Sequence, residues 1–386
     1  MSASRNSSDL PAETAETRRP RIAVVFGGRS SEHAISCVTA GSVLGAIDTD
    51  RYDVVPVGIT TEGRWVLESE DPERLAITTR DQLPEVDATR ATVALANDAE
   101  SSELVVHEPS SVPRTLGEVD VVFPLLHGPW GEDGTIQGLL EMAGVRYVGA
   151  GVLASAVGMD KHYMKVVFQA QGLPVLPYAV ITPRAWETDR AACQESVDSL
   201  GYPVFVKPAR GGSSIGISKV HDRSELEEAI ELAREHDPKV IVEASAEGGR
   251  EVECGVIEGF GNNPPDASVV AEINIDGSHE FYDFAAKYLP EEHTELTVPA
   301  DLPEHVAKRV QHLSVDAFEA LSCEGLARVD FFVLPDERVV INEINTMPGF
   351  TPQSMFPRMW AAAGVDYPEL VDRLVQLALH RSTGLR

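Results

Sequence analysis

Cysteine is scarce in this chain, basic charge is outnumbered by acid, and no long apolar run occurs. The four cysteines, Cys37, Cys193, Cys254 and Cys323, are scattered without CxxC spacing. That argues against a disulfide framework or a zinc site and fits a reduced, cytosolic setting. Against 61 acidic residues stand 32 lysines and arginines, a net charge of -29. A surface of that sign excludes nucleic acid as the partner, since phosphate backbones need clustered basic groups. It leaves room for a local phosphate pocket. No stretch approaches the ~18 apolar residues of a membrane helix, so no membrane partner is expected. The opening "MSASRNSSDLPAETAETRRP" is polar and lacks the apolar core of a signal peptide. Residues 1–20 are expected as a disordered tail.

What is present suits a soluble globular chain of two or three lobes: 386 residues, 43% apolar and 24% charged. "RIAVVFGG" (21–28), "YDVVPVGI" (52–59) and "VDVVFPLLHG" (119–128) are apolar runs that end at or near glycine. A helix is expected between the first two, from about Glu32 to Ala46. Strands interleaved with helices predict an α/β layer with functional groups at the strands' carboxyl ends. Residues 68–118 are polar, acidic and weakly periodic, and are expected as a variable insertion without chemistry. Further on, helices are expected near 160–172, 223–236, 304–322 and 367–380. Strands are expected near 202–208, 239–244, 251–258, 268–275, 326–334 and 338–344, which gives this half α+β character.

Several segments put polar groups where burial is expected. "LARVDFFVL" (326–334) flanks Asp330 with apolar residues, and "VVINEINTMPGF" (339–350) sets Glu343 and Asn345 two apart. Isolated buried carboxylates are costly unless paired or metal-bound. Two carboxylates and an amide are hard oxygen donors of the kind magnesium takes beside substrate phosphates. In an extended segment residues 343 and 345 share a face, and a turn near 334–338 lets Asp330 lie across a hairpin from them. A surface hairpin with its polar residues in water fits the same local pattern. "PARGGSSIGISKV" (208–220) follows the strand bearing Lys207 and offers backbone N–H groups and hydroxyls to phosphate oxygens. It matches neither common phosphate-loop signature, so a plain surface turn fits it equally. Lys207 itself, at a strand end in apolar company, calls for an anion partner.

The order of the segments is more specific than any one of them. "GGRSSEHAIS", "LHGPWGEDGTIQGLLE", "GAGVLASAVGMDKHYMK", "VKPARGGSSIGISKV", "FYDFAAKYL", "ARVDFFV" and "NEINTMPGFTPQSMFP" follow one another from 27 to 357. Together they resemble the D-alanine–D-alanine ligase family, ATP-grasp enzymes of peptidoglycan synthesis. The resemblance implies a doubly wound N-terminal α/β domain (21–157), then a two-lobed ATP-grasp fold with a small lobe (158–246) and a large lobe (247–386). It implies that ATP phosphorylates the carboxylate of one D-alanine and that the amine of a second displaces phosphate. It also implies two magnesium ions, with manganese an alternative, and a homodimer by family analogy.

Position by position, the resemblance implies Lys161 and Lys207 on the ATP phosphates, beneath a loop carrying Ser213 and Ser214. It puts Glu243 at the adenine and Glu251 at the ribose. Asp330, Glu343 and Asn345 match the metal ligands. Arg328 and the Gly349 amide match the groups that steady the transferring phosphate and the oxyanion. Glu32 matches the holder of the first substrate's ammonium, in a hydrogen-bonded trio with Ser213 and Tyr288. Lys287 matches a lid lysine, Ser354 the grip on the second carboxylate, and His127 a neighbour of that pocket. Met355 follows Ser354 where leucine is frequent, and His33 follows Glu32 where arginine is frequent. "GGRE" carries one extra residue, which loosens the match of Glu251. Ligases forming D-Ala–D-Ser or D-Ala–D-lactate, other ATP-grasp ligases and a non-catalytic nucleotide binder are the alternatives. Tyr288 in "AKY" favours the dipeptide-forming branch.

Overall fold

The strand Arg21–Gly27 lies inside a sheet, with Asp53–Ile59 and Val121–Pro124 parallel to it on either side, and helices bury both of its faces. Ile22, Val24 and Phe26 meet the helices His33–Ala46 and Tyr367–His380, while Ala23 and Val25 meet Ile136 and Leu140 of the helix Thr135–Met142. Gly27 ends the strand at φ 87°, where a Cβ would lie 2.4 Å from the carbonyl oxygen of Ile59. Only glycine makes that turn without strain. A computed structural model describes residues 18–69, 71–75, 83–95, 101–108, 112–212, 215–275 and 294–383.

The first sheet has eight strands among the described residues. Asp53–Ile59, Arg21–Gly27, Val121–Pro124 and Arg146–Tyr147 form its parallel part. Trp65–Leu67, Thr92–Leu95, Glu103–His107 and Arg114–Glu118 extend it as an antiparallel meander. The expected insertion over 68–118 is therefore partly sheet. Its short strands are half exposed, so a polar outer face hides the alternation.

Two antiparallel sheets follow, as the α+β expectation has it. The second runs Ser218–Val220, Val204–Pro208, Val240–Ala244, Tyr178–Ile181 in spatial order. Leu226, Ala229, Ile230 and Ala233 of the helix Arg223–Arg234 cover it. The third runs Thr294–Thr297, Asp266–Ile275, Arg250–Ile257, Leu326–Val333, Val339–Asn345. The helix Glu304–Ala320 packs Val310, Leu313 and Phe318 onto its inner strands. The helix Tyr367–His380 falls where expected, yet it buries Leu370, Leu374 and Ala378 in the core cluster that holds Ile22 and Phe26 of the first sheet. It returns the chain's end to the N-terminal lobe. No helix among the described residues is long and apolar enough to cross a membrane.

The N-terminal and large lobes touch backbone to backbone. Gly325 has φ 70°, and a Cβ there would sit 2.8 Å from the amide nitrogen of Gly149. Gly325→Ala combines positive-φ strain with a clash that no side chain can relieve. It is expected to cost about 2–4 kcal/mol in urea unfolding. A variant as stable as its parent would show that this junction yields freely.

Candidate active site

The hairpin of Leu326–Val333 and Val339–Asn345 aligns the polar residues that interrupt its apolar pattern. Asp330 pairs with Glu343 and Arg328 with Asn345 across the ladder. The register then shifts between Asp330 and Phe331, which leaves Asn342 as the extra residue of a bulge. Arg328 donates two hydrogen bonds to the Asp330 carboxylate, each 2.7 Å, and Asn345 Nδ2 donates a third at 3.0 Å. Glu253, on the next strand, lies 3.2 Å from Arg328 Nε. Burial opposes the Arg328 charge, but Asp330 and Glu253 outweigh it and hold its pKa well above the ordinary value.

Lys161 reaches the same hairpin from the first turn of the helix Lys161–Ala170, whose N-terminus Asp160 caps. Its Nζ lies 2.8 Å from Glu343 and donates to the carbonyl of Gly211, 3.0 Å away. Burial works against this ammonium too, and Glu343 more than offsets it, raising the pKa. Lys161 thus ties the hairpin to the glycine-rich loop. Two carboxylates and an amide on neighbouring strands, faced by cations in this structure, are a donor set that fits a hard divalent ion. Among the described residues no three His, Cys, Asp or Glu side chains cluster as a metal site, so Asn345 is needed to complete that set.

Lys207 points to Glu243 at 2.5 Å, and Glu243 is shared with a second lysine, Lys165, at 2.6 Å. Lys165 is 0% exposed and also donates to the carbonyl of the bulged Asn342, 3.2 Å away. Burial opposes the Glu243 charge, yet the two lysines hold its carboxyl down at about 2. The Glu243 carboxylate, expected at the adenine, is engaged between these lysines here. Lys165 carries no assignment in the sequence reading, although it stands one helical turn from Lys161 in "MDKHYMK" and so on the same helix face. Lys165→Met would leave a buried carboxylate short of charge. It is expected to cost about 3–5 kcal/mol, and adding Glu243→Gln should restore part of that. Urea unfolding of the single and double variants decides it; a single variant of parental stability would refute the pairing.

The opposite wall comes from the N-terminal lobe. Glu32 is buried just before the helix His33–Ala46, and its N–H donates to Ser30 Oγ, 3.2 Å away. Ser30 Oγ donates in turn to the carbonyl of His127, 2.8 Å. His127 is buried with Nδ1 3.2 Å from the carbonyl of Met347. Burial pulls its pKa below the ordinary value, against the influence of Glu32. Glu32, His127, Lys161, Arg328, Glu343, Asn345 and Gly349 line one cleft together with Glu132, which the sequence reading passed over.

Other expected residues lie away from that cleft. Glu251 is partly exposed in the strand Arg250–Ile257, opposite Phe332 and Ile273. Ser354 precedes the helix Met355–Ala362 with its hydroxyl 2.9 Å from that of Thr351. Met355, expected beside a substrate, is buried instead in an apolar cluster with Ala271, Ile273 and Met359. As the first residue of its helix it turns inward. His33 accepts the N–H of Val86 at Nε2, 3.3 Å, and its Nδ1 sits 2.7 Å from the carbonyl of Gly28. Ser213, Ser214, Lys287 and Tyr288 lie outside the described residues.

A family model described as D-ala D-ala ligase N-terminus matches residues 21–150, and one described as D-ala D-ala ligase C-terminus matches 167–376. The chain belongs to the D-alanine–D-alanine ligase family. A D-alanine–D-alanine ligase of Streptomyces coelicolor is 61% identical over 375 residues, covering 95% of each chain. One of Arthrobacter sp. is 60% identical over 369 residues, covering 95% of this chain and 96% of its own. Among solved structures, a D-Ala:D-Ser ligase from Enterococcus faecalis superposes with a TM-score of 0.81 at 35% identity, covering 94% of this chain and all of that one. The D-alanine–D-alanine ligase from Coxiella burnetii gives 0.77 at 35%, covering 94% of each. These neighbours identify the three-lobed arrangement as an N-terminal α/β domain on an ATP-grasp fold.

Proposed function

We propose that this chain joins two D-alanines into D-alanyl-D-alanine at the expense of ATP, through an acyl-phosphate intermediate, in the cytoplasm. The observation that carries it is the convergence of Glu32, Lys161, Arg328, Glu343 and Asn345 on one cleft, with Asp330 held against it by Arg328 and Asn345. Glu32 offers its carboxylate to the ammonium of the first D-alanine. Lys161 and Lys207 draw the ATP phosphates toward that substrate's carboxylate, which attacks the terminal phosphorus as ADP leaves. Arg328 steadies the negative charge in transfer. Then the amine of the second D-alanine adds to the acyl carbon, and the Gly349 N–H and Arg328 stabilise the oxyanion until phosphate departs.

Asp330, Glu343 and Asn345 would hold magnesium, or manganese, whose charge neutralises the phosphates when bound. Lys161 and Arg328 occupy these oxygens with positive charge in the present arrangement, so nucleotide and metal would exchange these pairs for new ones, lysine with phosphate and carboxylate with metal. Family resemblance adds Ser213, Ser214, Lys287 and Tyr288 as the lid side and Ser354 as the grip on the second carboxylate. Positioning and electrostatics supply most of the acceleration in such transfers.

Mass-spectrometric identification of products tests this, with ATP, magnesium and a panel of D-alanine, D-serine, D-lactate and L-alanine. D-Alanyl-D-alanine with one ADP per dipeptide is expected. ADP release that is indifferent to D-alanine, or equal with L-alanine, would overturn the proposal.

A further inference from the structure

The loop 126–134 touches the large lobe at one peptide and grips it from two sides. Glu132 accepts the N–H of Met347 at 3.1 Å on one carboxylate oxygen and the N–H of Gly128 at 2.7 Å on the other. His127 approaches the carbonyl of the same Met347 at 3.2 Å. Met347 lies two residues after Asn345 and two before Gly349, so both ends of that short segment carry assigned chemistry. The loop can curl this tightly because Gly128 has φ 71° and because a Cβ on Gly131 would meet the carbonyl oxygen of Leu126 at 2.5 Å. Through Ser30, which donates to His127 and accepts from Glu32, the same loop is fastened to the wall that holds Glu32. None of the catalytic steps above uses Glu132.

We infer that Glu132 is a positioning residue: it registers the 346–349 segment of the large lobe against the N-terminal lobe, fixing the Gly349 amide relative to Glu32. The inference rests on the ligase reading and deepens it, because these two groups must meet opposite ends of one small substrate. An ammonium held by Glu32 and a carbonyl oxygen met by Gly349 belong to the same D-alanine. Their spacing is therefore set by a contact between lobes, and a shift of about 1 Å there costs around a hundredfold in rate. The charges facing Glu132 are Glu32 and Arg328, with His127 beside it on its own loop. Burial and Glu32 together push its carboxyl up to about 8, against its two N–H donors and Arg328. An ammonium on Glu32 removes the second of those pushes and favours the ionised form, the one best able to accept both N–H groups. Binding of the first substrate therefore tightens the clamp.

The test is Glu132→Gln, which keeps the shape but can accept only one of the two N–H groups and turns an NH2 toward the other. With ATP, magnesium and D-alanine, kcat is expected to fall about tenfold or more while KM for ATP stays within about twofold. The second readout is ADP formed per dipeptide. A loosened register admits water, whose oxygen bonds to the acyl carbon as the acyl–phosphate bond breaks, releasing D-alanine and phosphate. The ratio should rise above one. A kcat within about twofold of the parent, or a fall in kcat that follows the folded fraction with the ratio still at one, would overturn the inference. Should Glu132→Gln fail to fold, Glu132→Asp, too short to span both donors, is read by the same ratio. A parent chain that makes no dipeptide would instead sink the ligase reading, a separate and distinguishable outcome.

Discussion

Glu343→Gln is expected to lower kcat about a thousandfold, roughly 4 kcal/mol of transition-state stabilisation, while the chain stays folded. The amide keeps the shape of the carboxylate and an oxygen that Lys161 can still reach. What disappears is the negative charge, at a position that meets Lys161 and the Asp330–Arg328 pair and that the proposed metal would use. Lys161 retains the carbonyl of Gly211, so its ammonium is not stranded. The check is steady-state kinetics beside a thermal melt. Parental kcat would show that the charge of Glu343 is not used; an unfolded variant would show that it is chiefly structural.

Arg328→Lys should come next in size, with kcat lowered about a hundredfold or more. Lysine keeps the charge but has no planar fork, and Arg328 holds both oxygens of Asp330 with parallel 2.7 Å bonds while touching Glu253. The substitution therefore removes the geometry that, in the proposed mechanism, aims positive charge at the reacting phosphate and oxyanion. ATP affinity, which the proposed mechanism assigns to Lys161 and Lys207, should change much less. A loss confined to KM for ATP, with kcat intact, would move Arg328 from the reacting centre to nucleotide binding.

The hairpin was legible because its chemistry interrupts a strong pattern. An aspartate between valine and phenylalanine, and a glutamate and asparagine spaced by two, demand partners that a buried strand does not otherwise give. The bulge at Asn342 was not legible, since nothing local says that one residue will drop out of register. Lys165 escaped for a related reason: a lysine on an amphipathic helix looks solvated until strands of its own lobe and of the large lobe close over it. The meander at 92–118 was hidden by half-exposed strands too short for a clear period. The helix Tyr367–His380 was placed correctly, but its contact with Ile22 and Phe26 joins opposite ends of the sequence. Glu132 stood in a quoted motif without a role, because its partner, the Met347 amide, leaves no mark in side-chain spacing.

The measurement closest to the central claim is anomalous diffraction from crystals grown with manganese and a non-hydrolysable ATP analogue. The account predicts metal peaks within about 2.0–2.3 Å of carboxylate oxygens of Asp330 and Glu343, with Asn345 completing the set and Lys161 and Lys207 on the phosphates. Peaks elsewhere, with the Arg328–Asp330 and Lys161–Glu343 pairs unchanged and the nucleotide outside the cleft, would contradict it.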